Sequence, residues 1–256
     1  MLSNARFLLM RFLCLALLCS LAACAVKQAP VDPAMAGNVW QGMLAKSNVE
    51  KAPYRDNMSL RFGTEGNTRR VLAIIWGNGE DDLRLDVSAG VGTTVAMLHQ
   101  KGQEFLLYAP MEQKAYFHEG ESSPLLKLGL PLPFDLFRLE ALLHNRWTSV
   151  FGKAWADASG HKKGIAYTLQ EGIGGTLVLD AQGMPALWEN ANWSIAFSFQ
   201  EDGTLKRLDL ANKKGEKGIL LLRSQEHPAR FDAAQMQLEL PQDTVLLPLE
   251  SLRKSR

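Results

Sequence analysis

The residue whose chemistry is best defined by its neighbours is Cys24. It follows Leu21-Ala22-Ala23, at the end of an apolar run from Phe12 to Ala23 that only Ser20 interrupts, with Arg6 and Arg11 ahead of it. Charge followed by an apolar run is the layout of a secretory signal. Leu-Ala-Ala-Cys also matches the bacterial lipobox, in which small residues fit the signal peptidase and the thiol receives a diacylglyceryl group. Residues 1–23 are therefore expected to be a lipoprotein signal peptide, and Cys24 to become an acylated N-terminus. Two or three acyl chains, at roughly 0.8 kcal/mol per buried methylene, anchor a protein to a membrane where a single chain would not. The apolar run is shorter than the roughly 20 residues that a helix needs to cross a bilayer, and no later stretch reaches that length without charge.

Other reactive residue types are scattered. Cys14 and Cys19 lie inside the leader, so neither a disulfide framework nor a cysteine-ligated metal site is expected in what remains. The five histidines, His99, His118, His144, His161 and His227, stand singly and without metal-ligand spacing, and read as surface or strand-face residues. No G-x-S-x-G is present. Gly172-Ile-Gly174-Gly175 lacks the third glycine of a dinucleotide fingerprint and opens a strand rather than a helix, so it reads as a turn. Asp81-Asp82 and Glu201-Asp202 sit beside turn signals, where solvated charge belongs. Neither a catalytic residue, a metal nor a cofactor is expected.

The elements that would position any site begin with a tether, residues 24–32, followed by one domain over 33–256. Loss of Arg6 and Arg11 turns the formal net charge from +1 to −1, which offers no bulk attraction to nucleic acid. Asp32-Pro33 is a helix start, an N-cap acceptor with proline at the first helical position. Behind it Ala36, Val39, Trp40, Met43, Leu44 and Ser47 recur at helical spacing, predicting a helix from about Ala34 to Val49. From Asn57 onward the period becomes two. Leu83, Leu85 and Val87 alternate with charged neighbours, and Asn78-Gly79 and Asp202-Gly203 mark hairpins. Strands read at Val71 to Trp76, Thr93 to His99, Glu104 to Ala109, Lys114 to His118, Gly164 to Gln170, Thr176 to Asp180, Pro185 to Glu189, Trp193 to Gln200, Thr204 to Ala211, Gly218 to Arg223 and Gln235 to Leu240. A second helix, capped by Asp135 and carrying Leu136, Leu139, Leu142 and Leu143 on one face, interrupts them.

About a dozen short antiparallel strands must curl to hide their edges, which predicts a mainly β fold: an antiparallel half-barrel, an incompletely closed β-barrel, with the helices as a lid on its inner face. Trp193, Ile195, Phe197 and Phe199 share one side of a single strand. With Trp40, Met43, Trp76, Leu85, Met97, Phe105, Leu107, Phe117, Leu132, Leu136 and Leu139 they are expected to line an interior that either holds an acyl chain or is simply filled.

Three segments carry a resemblance. Trp40-Gln41 lies in the opening helix, Ser88-Ala-Gly-Val91-Gly92-Thr93-Thr94 joins two strands, and Leu128-Gly-Leu-Pro-Leu-Pro133 precedes the Leu-rich helix. In these the chain resembles the LolA/LolB group of lipoprotein carriers, more the anchored LolB type than the soluble carrier, over roughly residues 39–147. The resemblance implies a non-enzymatic, acyl-binding domain that accepts lipoproteins handed over by a soluble periplasmic carrier and delivers them to the outer membrane. It also implies that Val91 occupies the place of an exposed leucine that promotes membrane transfer; here a valine between two glycines stands there instead. Ala25, where an aspartate retains lipoproteins in the inner membrane, resembles an outer-membrane destination on the periplasmic face. The alternative is a scaffolding lipoprotein of outer-membrane assembly with a filled core.

Cys24→Ser is expected to leave unprocessed precursor and abolish membrane association, measured by fractionation and electrophoretic mobility. A variant still processed and still in the membrane fraction would refute the lipobox reading.

Overall fold

The computed structural model describes residues 30–79, 81–90, 92–120, 124 and 132–254. Cys24 with its leader, residues 25–29 of the tether, Val91 and the stretch from Leu128 to Pro131 lie outside the described residues.

The first helix, α1, spans Pro33–Lys46, with the Asp32 carboxylate accepting the Ala34 N–H at 2.9 Å and Pro33 in the first position. It stops three residues before the expected Val49. Ser47 takes the C-cap, and its hydroxyl accepts the Thr148 N–H at 2.8 Å, pinning the helix end to a distant part of the chain. The strands are β1 (Tyr54–Thr64), β2 (Asn67–Gly77), β3 (Asp82–Ala89), β4 (Thr93–Lys101), β5 (Glu104–Ala109) and β6 (Lys114–Glu119), followed after two short helices, α2 (Leu136–Leu143) and α3 (Thr148–Phe151), by the rest. These are β7 (Trp155–His161), β8 (Gly164–Leu169), β9 (Thr176–Leu179), β10 (Pro185–Glu189), β11 (Trp193–Phe199), β12 (Leu205–Asn212) and β13 (Lys217–Glu226), then helix α4 (Ala233–Met236) and β14 (Val245–Pro248).

All fourteen strands form one sheet in the order β14-β6-β5-β4-β3-β2-β1-β13-β12-β11-β10-β9-β8-β7. Every described pairing is antiparallel except that of β14 with β6. The two halves of the sheet, β1 to β6 and β7 to β13, join through β1 and β13, so the edges fall on β7 and β14 and the sheet stays open, as the alternating pattern predicts. Two strands escape that pattern. Trp155-Ala-Asp-Ala-Ser-Gly-His161 has little β-propensity and survives as an edge strand. The strand expected at Gln235 to Leu240 is absent: Asp232 and Gln235 form a reciprocal capping box that starts α4, and Arg84 holds the carbonyls of Gln235 and Gln237 on the convex face of β3.

The concave face carries the core. Ile75, Leu85, Leu98, Leu107 and Tyr116 stand opposite one another across β2 to β6, and Leu220, Leu208 and Phe197 continue the face across β13, β12 and β11. Three positions expected on that face lie on the other. Trp76 is opposite Arg84, whose guanidinium sits 5.0 Å from the indole centroid on the convex side. Met97 pairs with Asp86 and Tyr108, and its neighbour Leu98 points inward instead. Phe117 is 44% exposed, while Tyr116 is buried. Each belongs to a run of consecutive apolar residues, in which alternation does not say which member is inside.

Helix α1 is seated by backbone proximity as much as by side chains. Gly183, in the turn between β9 and β10 at φ +78°, lies so close to α1 that an added Cβ would stand 2.8 Å from Met43 N and 2.8 Å from Val39 O. Gly183→Ala is expected to cost at least about 1–3 kcal/mol in thermal unfolding, through an unfavourable φ and a displaced helix. Gly203→Ala, at φ +83° in open space, carries only the conformational cost. Equal losses for the two would show that the helix contact is immaterial.

Candidate functional site

The concave face is apolar because two sets of side chains meet on it. From the sheet come Leu85, Phe105, Leu107, Ile195 and Phe197, with Trp193 and Phe199 half-buried at its margin. From the helices come Trp40 and Met43 of α1 and Leu136 and Leu139 of α2, with Leu132 in the segment before α2. The spacing i, i+3, i+7 puts the α2 leucines on one stripe, and Asp135 caps that helix by accepting the Arg138 N–H at 2.8 Å. Twelve of the fifteen residues expected to line the interior are thus brought together; Trp76, Met97 and Phe117 are not.

These contacts are specific. Trp40 stacks at 5.0 Å from Tyr167 and donates its indole N–H to Lys153 O at 3.1 Å, while the Tyr167 hydroxyl donates to Ala36 O at 2.8 Å. Burial without another charge beside it pushes the Tyr167 phenol up to about 12, so it stays a donor. Phe151 meets Phe197 edge-on at 6.1 Å, and Trp147 meets Phe199 at 6.0 Å. Met43 and Leu136 are 0% exposed. The helices therefore lie directly on the apolar face and cover it. A surface cleft of about 780 Å³, bounded by Asp81, Asp82, Lys101, Arg230 and Phe231, opens at the rim loops, away from this face.

One buried polar group was not anticipated. His144, read as a surface or strand-face residue, caps the C-terminus of α2 with its side chain buried, and its Nε2 lies 3.0 Å from Oδ2 of the fully buried Asp56 on β1. Glu140, also buried, accepts from the Arg146 guanidinium. Gln225 of β13 donates to Leu143 O at 3.1 Å and supports the Asp56 carboxyl. Two signals in the sequence mark this group. Asp56 falls in phase with Tyr54, Met58 and Leu60, all on the concave side, and Glu140 falls at i+4 from Leu136, within the apolar stripe.

Burial dominates the electrostatics of the pair. It raises the Asp56 carboxyl to about 7, with Glu140 and Glu226 adding to the shift and Gln225 opposing it. It lowers the His144 imidazole to about 3, reinforced by Arg146 and His227. Glu140 is raised by burial against the pull of Arg146, and the Tyr54 phenol, 4.5 Å from the His144 ring, is held well above its usual value. The pair thus carries one proton between its two members and no net charge. Among the described residues no group of three or more His, Cys, Asp or Glu could hold a metal ion, and no helix is long and apolar enough to cross a membrane.

No protein-family model matches the chain, and no curated protein matches it by sequence. Solved structures do match. A LolA superfamily protein from Nitrosomonas europaea superposes with a TM-score of 0.53 at 8% identity, over 79% of this chain and 97% of that one. A DUF1329 family protein from Desulfovibrio piger superposes at 0.54 with 11% identity, over 81% and 100%. The likeness is one of fold. It places this open antiparallel sheet with its inner helices among LolA-like architectures.

The neutral pair gives a defined pH dependence. Between pH 3.8 and 6.5 the unfolded chain carries an ionised Asp and a protonated His, and the folded pair holds one proton on Asp56, so the number of bound protons is equal and stability is flat. Above 6.5 the unfolded chain releases its His proton while Asp56 keeps its own to about 7, so stability falls with rising pH. Below 3.8 the unfolded chain binds one proton more than the fold, and stability falls toward about 3. Asp56→Asn is expected to abolish the alkaline decline and to leave stability rising with pH up to 6.5, as read from melting temperatures between about pH 5 and about pH 8. The same decline in wild type and variant would place its origin elsewhere.

Proposed function

We propose that the chain is a non-enzymatic, lipid-anchored receptor of the bacterial envelope. In this reading Cys24 carries the acyl chains, the domain faces the periplasm from the outer membrane, and its concave face takes up an acylated ligand. The ligand class the fold supports best is a lipoprotein, received from a soluble periplasmic carrier and delivered to the outer membrane in the manner of a LolB-type receptor. Val91, in the β3–β4 turn, would then meet the bilayer during release. No cofactor is required, because transfer between two apolar surfaces follows their difference in affinity.

The observation that carries this reading is a continuous apolar concave face covered by helices and not by a second sheet. Leu136, Leu139, Trp40 and Met43 belong to α1 and α2, which make few sheet contacts through backbone hydrogen bonds. An acyl chain could replace those side chains with methylenes worth about 0.8 kcal/mol each. A specific observation favours the second reading, a filled scaffold: Met43 and Leu136 are already sealed from solvent. A ligand must then displace a helix before it binds.

Displacement of a fluorescent fatty acid from the mature chain separates the two. Saturable binding that Phe197→Glu abolishes, with the β-sheet spectrum retained, is expected of the receptor; the buried charge itself should also lower the melting temperature. Absence of saturable binding to the wild type would leave the scaffold.

A further inference from the structure

A second surface lies at the end of the sheet where the β1–β2, β3–β4 and β12–β13 turns open. Arg61 on β1 is the direct cross-strand partner of Arg70 on β2, and Arg69 follows opposite Phe62. Lys217 on β13 stands opposite Gly63, next to Arg61 along the same face. Lys213 and Lys214 form the adjoining β12–β13 turn. All six cations are exposed. Among the described residues none of them makes a salt bridge or a side-chain hydrogen bond.

The nearby acids do not neutralise them. Asp209 is paired with Arg207 through two contacts, and Glu216, although it keeps its charge, is turned onto the Asn212 amide and makes no ion pair with the six. Glu65, exposed in the β1–β2 turn, is the remaining acid at this end of the two hairpins, since Asp56 and Glu226 lie at the other. Arginines directly opposite one another on a strand pair repel, with side chains roughly 5 Å apart, and burial of their stems offers no return at exposed positions. Six cations gathered in a chain of near-zero net charge are therefore a feature that folding alone does not explain.

We propose that this corner binds the anionic phospholipid headgroups of a bilayer. Guanidinium groups present paired donors to phosphate oxygens, and several such contacts on a convex hairpin tip suit a flat anionic surface better than a pocket-seated ligand. The choice of a membrane as partner rests on the proposed acylation of Cys24. Five residues lie between that cysteine and Pro30, six steps along the chain, and Pro30 bridges to Ser159 on the edge strand β7. At about 3.4 Å per residue the tether reaches roughly 20 Å. Pro30 is held within that distance of the lipid, toward the β7–β8 end of the edge strand, so contact through the basic corner, at the other end of the strands and seven strands along the sheet, would lay the domain along the membrane instead of leaving it to swing on its tether. The β3–β4 turn opens at the same end, two strand spacings from β2 or roughly 10 Å, so the same approach carries it to the bilayer.

The test uses residues 25–256, which keep every described residue and lack the acylated cysteine, so a failure of lipidation cannot affect it. Sedimentation is measured with vesicles of phosphatidylcholine alone, and with phosphatidylglycerol as roughly a third of the lipid. Binding to the anionic vesicles alone is expected, weakening steeply as salt is raised. The triple variant Arg61→Glu, Arg70→Glu, Lys214→Glu should bind at least about tenfold more weakly. Lys162→Glu with Lys163→Glu, in the β7–β8 turn at the other end of the strands, should bind like wild type. Equal binding by the triple variant and wild type would overturn the proposal. So would a wild type that ignores phosphatidylglycerol vesicles, including one that instead captures polyglutamate and thereby assigns the corner to an acidic protein.

Discussion

A single sheet that does not close has to find cover for its concave side, and this requirement shapes the rest of the molecule. Fourteen strands present Leu85, Leu98, Leu107, Ile195, Phe197 and Leu208 to one interior. Each such side chain gains about 1.5–3 kcal/mol when it leaves water, and none gains it from the sheet alone. Among the described residues the helices supply the second layer, because both sheet edges stay apart and all strands belong to this one sheet. The positions of Trp40, Met43, Leu136 and Leu139 follow from that need. So does the close approach of Gly183 to the α1 backbone, since a helix laid inside a curved sheet must come within van der Waals distance of the turns at its rim.

Where the sequence alternates cleanly, its reading survives in the fold. Leu83, Leu85 and Val87 separate from Asp82, Arg84 and Asp86, and the four aromatic and aliphatic residues of β11 keep to one face. The Asp32-Pro33 and Asp135 helix starts are legible for a different reason: capping is local chemistry, complete within three or four residues. Faces become illegible in Ile74-Ile75-Trp76, Val95-Ala96-Met97-Leu98 and Tyr116-Phe117, where both sides are apolar and the register with neighbouring strands decides. In β2 that register puts Trp76 under the Arg84 guanidinium, a contact between residues of two strands that no single-strand pattern contains. Strands β7 and β14 are hidden by another circumstance. Each is an edge held by one neighbour: β7 needs less apolar character than a central strand, and β14, though apolar, is only four residues long, ends in proline and pairs in parallel with β6.

The concave face was read as an apolar surface, and its polar end was missed. Asp56 and Glu140 each sit in phase with apolar neighbours, so the pattern contained them, but a lone carboxylate in an apolar stripe carries no indication of what meets it. The partners arrive from elsewhere: His144 and Arg146 from beyond the C-terminus of α2, Gln225 from β13. Only the closing of β1 against β13 brings the three segments together. Burial then settles the chemistry, since an ionised carboxylate and imidazolium out of water would cost several kcal/mol, and burial favours the neutral form of each, protonated Asp56 and unprotonated His144.

The lid is therefore held in two unlike ways, and the difference bears on how a ligand would be admitted. Along the first turns of α2 the contacts with the sheet are apolar, through Leu136 and Leu139, which methylenes of an acyl chain could replace; α1 adds polar ties, the Trp40 indole on Lys153 O and the Tyr167 hydroxyl on Ala36 O. At the C-terminal end of α2 the contacts are the Asp56–His144 pair, the Glu140–Arg146 pair and the Gln225 amide on Leu143 O, and no acyl chain offers groups to replace them. Several of these atoms, both Asp56 carboxyl oxygens, His144 Nε2, Glu140 Oε1 and Arg146 Nε, have no well-aligned hydrogen-bond partner among the described residues even in the fold, and an apolar ligand would supply none. Under the proposed acyl-binding function, displacement would begin at the Asp135 end of α2 and pivot about His144, with α1 kept in place by its hydrogen bonds. In that reading, a polar anchor at one end of an otherwise apolar helix would let α2 yield its place on the sheet without leaving the domain.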